Sequence, residues 1–464
     1  MPPIMTANMD VSTGPGRAPH DTDPSLTLPP EHAAPRQTSL TLLVLVFVGF
    51  ISLGLPDGLL GVAWPSIRQT FGLPLDAIGA LFLTTVCGYL AASLTSGWVV
   101  QRIGVGMLLA LSALATSASL LAFALAPAWG VIVVAGLLAG LGGGAIDAGL
   151  NSYVALAHSP RLLSWLHACF GVGASTGPAI MMAVLNAGQP WRLGYVVVGS
   201  GQLLLGLCFL LTRRQWQVAS EPDLTPPTPL SGAERGELDS SGSRPPRTGE
   251  GLGAVGIEGP HGRVEGAIRW QPAVWLSVLL FLVYTGIETA AGGWAYTLFV
   301  EGRGVSTQAA GLAVSAYWGG LAVGRVLAGL VANRVSPTTL TRWSMVGMLI
   351  GAVLLWLNLA PWLSFAGLVL MGLAAASVFP SMITMTPLRF GARQASTIIG
   401  FQVGAAALGI AGLPALAGVL AARVGLEAIP TLLVVASAGM VALHEAVVRL
   451  ADRAGDRAEQ TAWR

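Results

Sequence analysis

The chain has 464 residues, of which 53% are hydrophobic and only 10% charged, with a net charge of +2 and a mean hydropathy of +0.69. Soluble proteins carry roughly 25% charged residues, so this chain cannot coat a water-soluble globule of its size. A net charge of +2 also excludes a nucleic-acid binder held by phosphate contacts, and the composition is that of an all-α integral membrane protein.

The chain opens with a polar, Pro-rich stretch (1–38) expected to be a disordered tail. The apolar run that follows is long enough to span, so no cleavable leader is expected. A span needs about 20 mainly apolar residues. Six are predicted near Ser39–Trp64, Leu75–Val100, Gly104–Ala126, Gly130–Val154, Leu162–Asn186 and Arg192–Leu211, together a first bundle over 39–212. From 213 to 270 Pro, Gly, Ser and both signs of charge dominate. Such a segment buries too little apolar surface to offset its ordering entropy, so a disordered linker is expected. Six more spans are predicted near Pro272–Val300, Thr307–Val331, Thr338–Leu359, Trp362–Pro387, Ala395–Ala422 and Ala428–Leu450. They make a second bundle over 271–450, followed by a tail over 451–464.

Arginine placement orients the chain. With the N-terminus inside, the inner loops hold Arg102, Arg161, Arg213, Arg214, Arg334, Arg342, Arg389 and Arg393, and the outer loops only Arg68, Arg192, Arg303 and Arg423. Both termini and the linker are then cytoplasmic, in a multi-pass protein of the cell (inner) membrane. Trp64, Trp129, Trp191, Trp216, Trp270 and Trp362 fall at span ends, where an interfacial belt would place them. Cys87, Cys169 and Cys208 lie in apolar runs, which excludes a disulfide framework and a CxxC metal site. No cofactor and no metal is expected.

Sliding the second half onto the first by 232 positions superposes Gly79 on Gly311, Gly88 on Gly320, Gly97 on Gly329 and Arg102 on Arg334. With a slip of one residue Asp57 falls on Glu288. Duplicated six-helix units around a central solute cavity are a transporter architecture. The loop after the second span reads Gly97, Gln101, Arg102, Gly104, and here the chain resembles the major facilitator superfamily, whose G-x-x-x-D-R-x-G signature it carries with Gln101 in place of the acid. "GLPDGLLGVAWP" (Gly54–Pro65), "GGGAIDAGLNSYVA" (Gly142–Ala155) and "LHACFGVGASTGP" (Leu166–Pro178) resemble its fucose-permease branch of sugar:proton symporters. That resemblance implies proton and sugar handling by Asp57 and Asp147, and conformational control at Gly97, Arg102, Gly104, Gly329 and Arg334.

A charge at the centre of a span costs at least about 2.5–3.5 kcal/mol, so ionisable residues there are functional candidates. Asp57, Asp147 and Glu288 are expected to couple protons, since carboxyls withdrawn from water can bind and release them under physiological conditions. His167 is a weaker candidate relay, with a packing role as the competing reading. Asn151 follows Asp147 by four residues and shares its helical face. Gly54 and Pro56 suggest a bent or broken helix just before Asp57. Trp294, Tyr296, Tyr317 and Trp318 are candidate stacking partners for a sugar ring, and Gln402 a candidate hydrogen-bonding group. Arg325 is expected to snorkel to the cytoplasmic face. Gly173-x-x-x-Gly177-Pro178 resembles a motif of drug:proton antiporters, against which stands close helix packing through small residues.

The expected function is proton-coupled symport of a small polar organic solute, with a sugar or sugar derivative first, by a chain acting as a monomer in the bilayer. A proton-coupled drug or metabolite efflux antiporter and a non-transporting membrane sensor are the alternatives. An enzyme is not expected, because no P-loop, nucleophile elbow or HExxH motif is present.

Overall fold

The computed structural model describes residues 40–157, 160–216, 272–331 and 334–462. The expected tail (1–38) and all but the first four residues of the expected linker lie outside the described residues. Twelve helical spans among the described residues are long and apolar enough to cross a membrane. In lipid each backbone polar group must be satisfied within its own segment, which is why these apolar runs form helices. The first six are α1 (Leu40–Phe71), α2 (Ile78–Ile103), α3 (Val105–Leu125), α4 (Trp129–Ala157), α5 (Pro160–Asn186) and α6 (Trp191–Thr212). The second half runs α7 (Pro272–Thr297), α8 (Thr307–Val331), α9 (Pro337–Leu357), α10 (Pro361–Ala375), α11 (Val378–Phe390), α12 (Ala392–Val424) and α13 (Ala428–Ala462). The tenth span, expected as one helix, is divided at Ala376–Ser377 into α10 and α11. The last helix runs on to Ala462, across the boundary expected at 450.

The two halves repeat the same packing. In the first, α2 packs on α4, α1 on α5 and α3 on α6; in the second, α8 packs on α10, α7 on α12 and α9 on α13. The repeat extends to single close approaches. A Cβ on Gly88 would lie 2.2 Å from the Leu137 carbonyl, and one on Gly320 would lie 3.1 Å from the Val369 carbonyl. Likewise Gly140 faces the Thr85 carbonyl and Gly372 the Tyr317 carbonyl, at 1.9 and 2.1 Å. All four second-half residues sit 232 positions after their counterparts. Small residues at these points let helix backbones meet, which is how membrane helices gain packing energy without a hydrophobic drive. Between the halves α5 meets α8 and α2 meets α12, two contacts that the repeat interchanges.

Helix α1 is continuous through Pro56, so of the bend or break expected before Asp57 the break is excluded. Gly54 is explained instead by proximity, since its Cβ would lie 2.1 Å from the Phe170 carbonyl of α5. From the α5 side, a Cβ on Gly173 or Gly177 would lie 1.9 or 2.4 Å from the carbonyl of Ile51 or Leu55. The Gly173–Gly177 motif is thus a helix-packing seam. The tryptophan belt is also only partly peripheral. Trp362 is 69% exposed, but Trp64, Trp191 and Trp216 are buried among helices, and Trp270 lies outside the described residues.

Candidate functional site

A central cavity of about 330 Å³ is lined from both halves. From α1 come Phe50, Leu53, Asp57 and Leu60; from α2 Thr85, Val86 and Tyr89; from α4 Gly140, Gly143 and Asp147. Helix α5 adds His167 and Phe170, and α6 Tyr195. The second half contributes Tyr284, Thr285 and Glu288 of α7, Arg325 of α8, Phe379 of α11, and Ala407 and Ile410 of α12. The wall is mostly apolar and aromatic with a few convergent polar groups, the character of a small-molecule site.

The cavity brings together the four ionisable residues that the sequence singles out: Asp57, Asp147, Glu288 and His167. They are held differently. Asp147 accepts a 2.6 Å hydrogen bond from the Tyr89 hydroxyl on Oδ2 and one of 2.9 Å from the Asn151 amide on Oδ1. The Tyr284 hydroxyl, one turn earlier on α7, lies within hydrogen-bond distance of both the Glu288 carboxyl and the Ala375 carbonyl, the latter at 2.9 Å, and its single proton serves one of them at a time. Asp57 opens onto the cavity, and among the described residues its carboxylate has no hydrogen-bond or ion-pair partner. The His167 ring stands edge-on to Phe50, with centroids 5.5 Å apart.

Arg325 does not snorkel to a membrane face. It lines the cavity and donates from Nη1 to the His167 carbonyl at 2.6 Å, so a guanidinium of the second half is tied to the backbone of the first. Its guanidinium carbon also lies 5.7 Å from the Phe170 ring centre. A cation in a low-dielectric bundle is stabilised by such dipoles and by nearby carboxylates, a better environment than lipid.

The candidate solute contacts fall elsewhere. Trp294, Tyr296, Tyr317 and Trp318 are each 4% exposed or less and do not line the cavity. The Trp294 indole donates to the Pro414 carbonyl at 2.9 Å, and the Tyr317 hydroxyl to the Glu288 carbonyl at 2.7 Å. Trp318 fills the space that Gly292 leaves, where a Cβ would lie 2.4 Å from its ring. These rings serve helix packing, which rewards large apolar surfaces. Gln402 is 1% exposed and joins Ser277 and Thr386 by hydrogen bonds of 3.1 and 3.0 Å inside the second half. Asn151 reaches the site only through Asp147.

The residues of the loop motif are not among those that line the cavity. Gly104 has φ of +78°, a conformation that favours glycine, and ends α2. Arg102 stacks 3.7 Å over the Trp98 ring. Gly97 and Gly329 have open space where a Cβ would stand, and Arg334 is exposed. At the opposite end of the bundle Arg68 of α1 pairs at 2.5 Å with Glu301 beyond α7, a contact between the halves.

The Major Facilitator Superfamily model matches residues 46–306 and again 276–463, two matches that overlap over 276–306. The chain belongs to that superfamily. Its similarity to solved superfamily structures extends over nearly the whole fold. A D-xylose–proton symporter aligns with a TM-score of 0.66 at 16% identity, over 86% of this chain and 96% of that one. A bacterial homologue of the human lysosomal transporter Spinster, inward-facing and occupied, aligns at 0.58 and 15%, over 89% and 95%. In sequence the superfamily chain is 23% identical over 263 residues to bypass of stop codon protein 6 of Saccharomyces cerevisiae (strain ATCC 204508 / S288c). That match spans 56% of this chain and half the length of the relative. Superfamily members are transporters, not enzymes.

Sequence reasoning missed Tyr89, Tyr195, Tyr284 and the phenylalanines of the wall, and misplaced Arg325. Tyr284 carried a signal, for it precedes Glu288 by four residues and so shares its helical face. Tyr89 carried none, since it meets Asp147 only through the packing of α2 on α4.

Proposed function

We infer that the protein is a proton-coupled carrier of a small organic solute, alternating between access from one side and the other by rocking of its two halves. The observation that carries this reading is the convergence of Asp57, Asp147 and Glu288 on one cavity between the halves. Carboxylates in a span are costly and therefore mark proton or solute paths, and protonation together with solute occupancy biases the two conformers. The arginine distribution supports cytoplasmic termini in the cell membrane, and a cavity complete within one chain supports a monomer.

A sugar moving with protons is a second reading of the solute, and its support is the likeness of fold to the D-xylose–proton symporter alone. Uptake into vesicles holding the purified protein tests the carrier reading. A solute found by thermal-shift screening should enter faster under an inward proton gradient, and uptake indifferent to an uncoupler would overturn proton coupling.

A further inference from the structure

The wall of the cavity holds three carboxylates against one guanidinium. Two of the three are already engaged, Asp147 by Tyr89 and Asn151, and Glu288 by Tyr284. The guanidinium of Arg325 is turned to the His167 carbonyl and makes no ion pair among the described residues. Asp57 alone of the three carboxylates is left without a partner among the described residues, in a chamber to which Phe and Tyr contribute seven of the 27 lining residues. Among the described residues no asparagine or glutamine side chain lines the cavity. Its Ser52, Thr116 and Thr285 hydroxyls donate to main-chain carbonyls of Gly49, Ser112 and Ala406, at 2.7, 3.1 and 2.7 Å. Among the described residues the donors left free in the wall include those of Thr85, Tyr195 and the Arg325 Nε. The hydroxyl of Tyr195, itself 1% exposed, has no hydrogen-bond partner among the described residues. Among the described residues no group of His, Cys, Asp or Glu is placed to cage a metal ion.

We propose that the solute is an organic cation with an apolar or aromatic body, and that Asp57 is its counter-ion and the residue that determines specificity. Asp57 supplies the charge that an ammonium group needs once it leaves water. The ring faces of the wall attract the same charge through their quadrupoles and cover the apolar body. Asp147 and Glu288, each held by a tyrosine, are left to carry the proton, which divides the two tasks between different carboxylates. The proposal rests on the carrier reading, but binding can be measured without transport.

The test is a thermal-shift titration of the purified full chain with benzyltrimethylammonium, benzyl alcohol and D-xylose. Benzyltrimethylammonium has a charge that no pH change removes, and benzyl alcohol has a similar body without charge. A binding solute stabilises the folded state and raises the unfolding midpoint. The cation should raise the midpoint saturably, and the alcohol and the sugar should not. Asp57→Asn should weaken the cation's effect on the order of tenfold or more, and Asp57→Glu, which keeps the charge, should retain it. No effect of the cation on the wild type, an effect that survives Asp57→Asn, or stabilisation by D-xylose instead would overturn the assignment. Stabilisation by D-xylose would leave the carrier reading intact. A cation that binds through Asp57 while vesicles show no flux would sink the carrier reading and leave this one standing.

Discussion

Tyr89 of α2 and Asp147 of α4 are joined by a 2.6 Å hydrogen bond, and Asn151 holds the second oxygen of the same carboxylate at 2.9 Å. Hydrogen bonds between membrane helices contribute about 0.6 kcal/mol on average and up to about 1.7 kcal/mol. Tyr89→Phe should therefore lower stability by about that much and leave Asp147 in place through Asn151. Transport should fall less in Tyr89→Phe than in Asp147→Asn, and initial uptake rates compare the two directly. Equal losses would mean that the tyrosine hydroxyl, not the carboxylate, is the essential group.

Arg325 reaches His167 through the main chain, not the imidazole, because its Nη1 donates to the carbonyl. His167→Ala leaves that acceptor intact, whereas Arg325→Ala removes the donor and the one guanidinium that the described residues bring to the wall. The arginine variant should lose most transport and the histidine variant far less. The reverse order would point to the imidazole as a proton relay.

Glycine positions separate into two groups with opposite expected outcomes. A Cβ at Gly173 would lie 1.9 Å from the Ile51 carbonyl, so Gly173→Ala must push α5 away from α1. Overpacking of this kind costs about 1–3 kcal/mol or more. Nothing stands within 4 Å of a Cβ at Gly97 or Gly329, so Gly97→Ala and Gly329→Ala should fold as well as the wild type. Unfolding midpoints in detergent check both groups.

The Arg68–Glu301 pair closes one end of the bundle between the halves, with its side chains 26% and 29% exposed. Pairs so open to solvent contribute about 0.2–1 kcal/mol, so the contact biases the conformers by a few-fold and does not lock them. Arg68→Glu should raise the reactivity of a cysteine placed at Leu60 in the cavity wall, in a background without Cys87, Cys169 and Cys208. The reagent is a membrane-impermeant thiol probe added at that end. The exchange of both charges should restore the low reactivity, and an unchanged rate in the single variant would remove the pair from gating.

The helical class, the duplication and the intramembrane carboxylates were legible in the sequence because each leaves a local mark. Apolar runs near 20 residues long read as spans, and Gly88 with Gly320 exposed the repeat at a fixed offset. Asp57, Asp147 and Glu288 stood out because charge is scarce in lipid. Which way an aromatic side chain turns leaves no such mark. Trp294, Tyr317 and Trp318 pack between helices, while Tyr89, Phe123 and Tyr195 face the cavity, and all six sit in runs of similar composition. Arg325 lay near a predicted span end, and only the packing of α8 on α5 turns it inward.

The most direct test of proton coupling through the cavity is proton entry into liposomes, recorded by a trapped pH dye as the solute is added outside. Wild-type protein should acidify the interior when solute is added, and Glu288→Gln and Asp147→Asn should lose that response while still binding the solute. Solute entry without any pH change, or an undiminished response in both variants, would contradict the account.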